Sequence, residues 1–299
     1  MKWKGRQTST NVEDQRGRGV KGVVGGGLGI AGIIIAIIVT LLGGDPSQVI
    51  NQVPPQGSEN QTSYSASAEE EELAQFVSVV LAETETVWKK QFADEGLTYQ
   101  NPKLVLYTGS VQSACGVAGS STGPFYCPGD QKVYIDLSFF QELKDKFKAP
   151  GDFAMAYVIA HEVGHHVQNL LGVTDELNTL SKELTQEEFN SYLVKVELQA
   201  DYLSGVWAHY AERVNLLEEG DLEEALNAAS AVGDDRIQQN TQGYIVPESF
   251  THGTSEQRKR WFLKGFDSGN MSGGDTFNTD DLQAPTDSIS LLGRVLAVH

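Results

Sequence analysis

His161-Glu162-Val163-Gly164-His165 is the stretch on which the reading of the fold turns. On a helix, two histidines four residues apart project from one face and can grip one metal ion. The glutamate beside the first can then reach a water on that metal. The flanks support a helix. Pro150-Gly151-Asp152 supplies a start, with Asp152 as N-cap, and Gly172 supplies a stop. Between them Ala154, Tyr157, Val158, His161, His165, Val167 and Leu171 recur at helical spacing. The competing reading is two core histidines with a solvated glutamate, but the chain has 6 histidines in 299 residues, so the pattern rarely arises by chance.

A catalytic zinc ion needs a third protein ligand and an open position for water. The metzincin solution, a glycine and a third histidine at fixed spacing, is excluded because those places hold Gln168 and Leu171. A carboxylate from a second helix is the alternative. Tyr192 to Ala208 reads as a long helix, and Thr185-Gln-Glu-Glu188 ahead of it has a capping-box pattern. Glu197 and Asp201 lie at i and i+4 among Leu193, Val194, Val196, Leu198, Ala200 and Leu203. Two carboxylates buried on such a face need a partner. Glu197 is therefore expected as third ligand, and Asp201 as acceptor for the outer ring nitrogen of His161, fixing its tautomer. A solvated patch on an amphipathic helix is the competing reading.

H-E-x-x-H followed by E-x-x-x-D on a later helix resembles the gluzincin arrangement of thermolysin and of the membrane-bound heat-shock and CAAX-prenyl endoproteases. More closely, the chain resembles the putative neutral zinc metallopeptidase family of bacterial single-pass membrane proteins. Five stretches carry the resemblance: Ser113-Ala-Cys-Gly116, Gly123-Pro-Phe-Tyr-Cys-Pro128, Val133-Tyr-Ile-Asp-Leu-Ser-Phe-Phe140, Ala156 to His166, and Thr251-His-Gly253 with Arg258. The resemblance implies a zincin-like peptidase domain with one Zn2+; it implies no particular substrate.

The heat-shock and prenyl endoproteases carry a segment similar to Thr251–Arg258 after their third ligand, which implies a place beside the active site. His252 is the candidate donor to the negative oxygen of a tetrahedral intermediate. Arg258 could orient a carboxylate or anchor the loop. A helix N-cap at Thr254 or Ser255, with His252 incidental, remains open. His166 lies about 100° around the helix from His165 and is not expected on the same metal. His209 is expected to pack or cap, and His299 is the last residue.

Residues 22–44 hold no charged side chain, and 28–42 are strongly apolar. At a helical rise this stretch spans about 34 Å, enough for a bilayer core. Lys2, Lys4, Arg6, Arg16, Arg18 and Lys21 precede it against only Glu13 and Asp14, and no lysine or arginine follows until Lys89. By the positive-inside rule the N-terminus stays in the cytoplasm, and the catalytic domain lies outside the plasma (inner) membrane behind a single retained transmembrane helix. Cys115 and Cys127, the only cysteines, are then expected to form a disulfide worth about 2–3 kcal/mol. A metal pair would need two further ligands, and none lies nearby.

The net charge of −18 becomes still more negative once the basic tail is set aside, which disfavours nucleic acid as a partner. The chain divides into a cytosolic basic tail (1–21), a transmembrane anchor (22–44), a polar linker (45–68), a metallopeptidase domain (69–267) and a loose tail (268–299). The domain opens with a helix striped by Leu73, Phe76, Val77, Val80, Leu81, Val87, Trp88 and Phe92. Leu104–Tyr107 and Val133–Leu137 are the best strands. The expected architecture is a mainly helical α+β domain with a small antiparallel sheet. By the gluzincin resemblance, Val133–Asp136 could bind substrate backbone as an edge strand; a plain core hairpin is the other reading.

The function expected is a membrane-anchored zinc endopeptidase acting on protein or peptide. Glu162 serves as base, His161, His165 and Glu197 hold the metal, and His252 assists. A zinc-containing scaffold module, or a zinc hydrolase of a non-peptide amide, stays open. Oligomeric state is not legible.

Overall fold

The computed structural model describes residues 1–18, 64–279 and 282. Ser67 starts helix α1 (Ala68–Asp94) with a closed capping box: its hydroxyl accepts from the Glu70 N–H, and the Glu70 carboxylate accepts from the Ser67 N–H. Phe76, Val77, Val80, Leu81, Trp88 and Phe92 on its apolar stripe are buried in the main core, where the periodicity puts them.

Among the described residues there are six strands, the first ahead of α1 and the rest after it. They are β1 (Val12–Asp14), β2 (Lys103–Tyr107), β3 (Ser110–Ser113), β4 (Gly116–Gly119), β5 (Phe125–Cys127) and β6 (Lys132–Asp136). β3 and β4 form an antiparallel hairpin, and the other four form one sheet in the order β1-β2-β6-β5. Only β5–β6 is antiparallel in that sheet; β1–β2 and β2–β6 are parallel. The expectation of an antiparallel sheet is thus corrected. Leu104-Val-Leu-Tyr107 and Val133-Tyr-Ile-Asp136 are buried on both faces, as parallel strands must be. β6 is an interior strand, paired with β2 throughout and with β5 over Lys132–Tyr134, so Val133–Asp136 is not an edge strand; the edges of the sheet are β1 and β5. The Cys115–Cys127 disulfide forms, and it ties the end of β5 to the β3–β4 hairpin.

The helical part comprises α2 (Ser138–Asp145), α3 (Asp152–Leu170), α4 (Val173–Leu180), α5 (Gln186–Arg213), α6 (Asp221–Ala231), α7 (Asp234–Gln242) and α8 (Ser255–Ser268). α3 carries the H-E-x-x-H motif through the middle of the body, packed against α1, α5 and α6. Its N-cap is Gly151 rather than Asp152. Asp152 is instead the first helical residue, and its carboxylate accepts from the Met1 ammonium at 2.9 and 3.0 Å. Thr185 caps α5 with the expected capping box, and Gln186–Arg213 extends the expected helix at both ends.

The packed body is wider than residues 69–267. At the front, β1 and a buried Trp3, edge-on to Phe76 at 5.5 Å between ring centres, belong to it. At the back, the buried Thr276 donates to the Lys195 carbonyl at 2.6 Å, and Phe277 packs on Tyr192. The chain up to residue 279 is therefore held on α5, where a loose tail was expected from 268. The apolar stretch 22–44, linker residues 45–63 and His299 lie outside the described residues. Among the described residues, no helix is long and apolar enough to cross a membrane.

Candidate metal centre

His161 and His165 stand one turn apart on α3, their rings edge to face at 4.8 Å. α5 lays Glu197 across them. Nε2 of His161 is 3.1 Å from Glu197 Oε2, and Nε2 of His165 is 3.5 Å from Oε1. One ligand atom from each residue lies within 4.8 Å of the others. This closeness depends on Gly164, between the two histidines: a Cβ there would sit 3.1 Å from the Ala200 carbonyl oxygen and 3.3 Å from its Cα. The two helices meet backbone to backbone one turn from Glu197. Two imidazoles and one carboxylate, open on the cleft side, are the donor set of a catalytic zinc site, so the residues present fit that ion.

Behind these groups lies a buried polar hub. Asp201, fully buried, is 2.9 Å from His161 Nδ1 and accepts from the Tyr157 hydroxyl at 2.5 Å. Arg258 donates to the same carboxylate from Nε at 2.7 Å and from Nη2 at 3.0 Å, and Nη1 reaches the Val232 carbonyl. A charge this deep is tolerable because every face of it is paired. Burial pushes the Asp201 carboxyl up, but Arg258 and His161 outweigh it and hold it below the usual range. On the other side, His165 Nδ1 is 2.8 Å from Gln168 Oε1. The Gln168 amide in turn donates to the Val196 carbonyl and to Gln199.

Glu162 lines the same cleft with His252 and Arg258. Burial pushes its carboxyl up to about 7; Glu197 adds to the rise, while His161 and Arg258 oppose it. The N–H of Tyr126, on the edge strand β5, also reaches that carboxylate. His252 is fixed from behind by Asp234, the first residue of α7. Asp234 Oδ1 lies 3.2 Å from His252 Nδ1, while Oδ2 accepts from the backbone N–H groups of Thr251, His252 and Gly253. Burial disfavours the imidazolium of His252, yet the Glu197 and Asp234 carboxylates raise its pKa overall. The helix N-cap that competed with His252 in the sequence is also real: Thr254 caps α8. Both features of the segment exist side by side.

The structure thus brings together His161, Glu162, His165, Glu197, Asp201, His252 and Arg258. His166 points away: Nε2 lies 2.7 Å from the Gln100 carbonyl and Nδ1 3.0 Å from the Tyr126 hydroxyl, which tethers β5 to α3. His209 bonds the Phe266 carbonyl, a packing role. Four contributors escaped the sequence reading: Tyr157, Gln168, Asp234 and Tyr126. Tyr157 lies four residues before His161 and Gln168 three after His165, so helical spacing was a usable signal for both. Asp234 had none. A second group with metal-holding spacing, Asp152, Asp221 and Glu224, surrounds the Met1 ammonium, which is 2.9 Å from Asp152 and 3.4 Å from Asp221.

A helix-borne H-E-x-x-H with a glutamate from a later helix defines a zinc-hydrolase type of centre. Residues 1–277 match the family described as "putative neutral zinc metallopeptidase". The chain belongs to that family. It is 50% identical over 283 residues to the uncharacterized protein YpfJ of Escherichia coli (strain K12), covering 93% of this chain and 99% of that one. It is 44% identical over 209 residues to the uncharacterized proteins Mb2605 of Mycobacterium bovis and Rv2575 of Mycobacterium tuberculosis (strain H37Rv), covering 66% of this chain and 68% of theirs. No solved structure matches.

Proposed function

We propose that this chain is a zinc-dependent endopeptidase whose metal is held by His161, His165 and Glu197. The observation that carries the reading is the convergence of both Nε2 atoms on Glu197 in a cleft that also holds the buried Glu162. Zinc, when bound, supplies a Lewis acid that polarises a carbonyl and makes water more acidic.

The chain's own residues then divide the work. Glu162, its carboxyl raised toward neutrality, takes a proton from the attacking water and returns it to the amine nitrogen as the C–N bond breaks. His252, its Nδ1 side held by Asp234, offers Nε2–H to the carbonyl oxygen as that oxygen gains charge. Asp201, itself anchored by Tyr157 and Arg258, holds His161 in the tautomer that leaves Nε2 free. A peptide is the substrate class favoured, because the free edge of β5 borders the cleft with Gly123, Pro124, Phe125 and Tyr126. An extended chain could add there as a further strand.

The apolar stretch 22–44 supports attachment to a membrane, and the disulfide supports a catalytic domain outside the cytoplasm. The test is cleavage of an unfolded protein by the zinc-loaded full chain in detergent, with Glu162→Gln alongside. The full chain is required because a fragment starting at residue 45 would lack Trp3 and β1. Cleavage by wild type alone supports the peptidase; equal cleavage by both, or none by a folded, zinc-loaded chain, sinks it.

A further inference from the structure

Four of the basic residues near the N-terminus are spent on the body of the protein. Lys4 Nζ lies 2.6 Å from Glu72, Arg6 Nη1 3.0 Å from Glu83 and Arg16 Nη2 2.8 Å from Glu71, while Lys2 Nζ donates to Asn215. Three of these partners are acidic residues of α1. Arg16 is buried, so its pairing with Glu71 and Asp14 is more than a solvated surface contact. Charge complementarity with an acidic domain accounts for these side chains without any reference to a membrane.

The backbone adds a second, independent set of ties. Lys2 N–H donates to the Leu216 carbonyl and Ser9 N–H to the Ser78 carbonyl. β1 pairs in register with β2, Val12 opposite Leu104 and Asp14 opposite Leu106. This ladder covers one side of β2 with part of the same sheet that carries β5 beside the site. Removing the segment would expose Phe76 under Trp3 and leave β2 with an open edge.

The two ends of the intervening chain also meet. Gly17 (φ 70°) lies directly against the Tyr64 side chain, and any Cβ at position 17 would collide with it. A single crossing between these points would separate them by the bilayer core, about 30 Å. In the structure they touch.

We infer that residues 1–18 are a docking strand for the body formed by residues 64–279, and that both lie on the same side of the membrane. This revises the orientation read from charge asymmetry, which set them on opposite sides. Lys4, Arg6 and Arg16 act as docking groups rather than as a cytoplasmic retention signal.

Two experiments on the full chain test this. In the first, the exposed positions Thr8→Cys and Glu219→Cys are introduced separately, and intact and permeabilised bacterial cells are treated with a membrane-impermeant maleimide. Cys115 and Cys127 are bonded to each other and stay silent. The expected result is the same intact-to-permeabilised labelling ratio at both positions. Labelling of Glu219→Cys in intact cells with Thr8→Cys reached only after permeabilisation overturns the inference. In the second, Arg6→Glu and Glu83→Arg are combined and heat resistance is read in native membranes. Each single change should lower it and the double should restore it; purely additive losses mean the strand is not docked there.

Discussion

Asp234 grips His252 by both ring and backbone: one carboxylate oxygen faces Nδ1 at 3.2 Å, and the other accepts the His252 N–H at 2.6 Å. The ring's other nitrogen is thereby left for the cleft. Under the proposed function this is a device for keeping an Nε2–H donor aimed at one place. His252→Ala should lower kcat about 10²–10³-fold, the loss typical of an oxyanion donor. Asp234→Asn should lower kcat by less, with KM and zinc content near wild type. Steady-state cleavage of a peptide, with metal analysis of each variant, checks both; loss of zinc from either would mean the pair serves the metal centre instead.

Glu162→Gln preserves size and hydrogen-bonding shape but cannot accept a proton. Zinc content and thermal stability should be retained while turnover falls by at least about 10²–10⁴-fold, the range for a positioned acid–base group. Metal analysis and single-turnover cleavage read the two effects separately.

Asp201 answers to three donors at once, so its loss should be felt at the metal. Asp201→Asn should weaken zinc binding about 10–100-fold, as removal of a carboxylate behind a ligating histidine does elsewhere. It also leaves Arg258 buried without its main counter-charge, so the melting temperature should fall. Tyr157→Phe removes the hydroxyl that donates to Asp201 and accepts from Arg258 but leaves the charge pair and the packing in place, so it should weaken zinc binding more mildly and leave folding intact. Competition with a chelator of known affinity measures both.

The chelated protein should show its own pH dependence. Burial opposes the His161 imidazolium, but Asp201 and then Glu197 outweigh it and raise its pKa from 6.5 to about 9. A pKa raised on folding gives stability that is complete below the unfolded value and is lost as pH rises through the folded one. Glu162, raised to about 7, acts in the same direction lower down. The melting temperature of the chelated protein should therefore fall between about pH 6.5 and 9, and His161→Gln should flatten that fall. A rise over the same window would contradict the pairing of His161 with Asp201.

Most of the metal centre was legible because it sits on two helices, where spacing of three and four residues translates directly into a shared face. His161, His165, Glu197 and Asp201 all follow from that rule, and Tyr157 and Gln168 would have followed from pressing it further. Asp234 could not: it meets His252 only because the loop before α8 folds back over the start of α7. The sheet was misread for a related reason. Val133–Asp136 looks like an edge strand only while β5 is unknown, and Phe125–Cys127, at three residues, is too short to announce itself as a strand; the equally short Val12–Asp14 hides the parallel partner of β2. The tail after residue 268 misled through composition, since its Gly-rich stretch is held largely by backbone carbonyls, Gly274 accepting from the Gln199 amide and Asn270 from the Tyr202 hydroxyl, with Phe277 as an apolar anchor on Tyr192.

The missing side chain at Gly164 gives the centre a built-in gauge. Because backbone rests on backbone there, the distance from the two ring nitrogens on α3 to the carboxylate on α5 is set by the thickness of a peptide group, not by the ligands themselves. A methyl at position 164 would act as a shim between the helices, moving Glu197 outward while leaving its chemistry untouched. The reach between the ligands on the two helices is thus set partly by a hydrogen atom that is not itself part of the donor set.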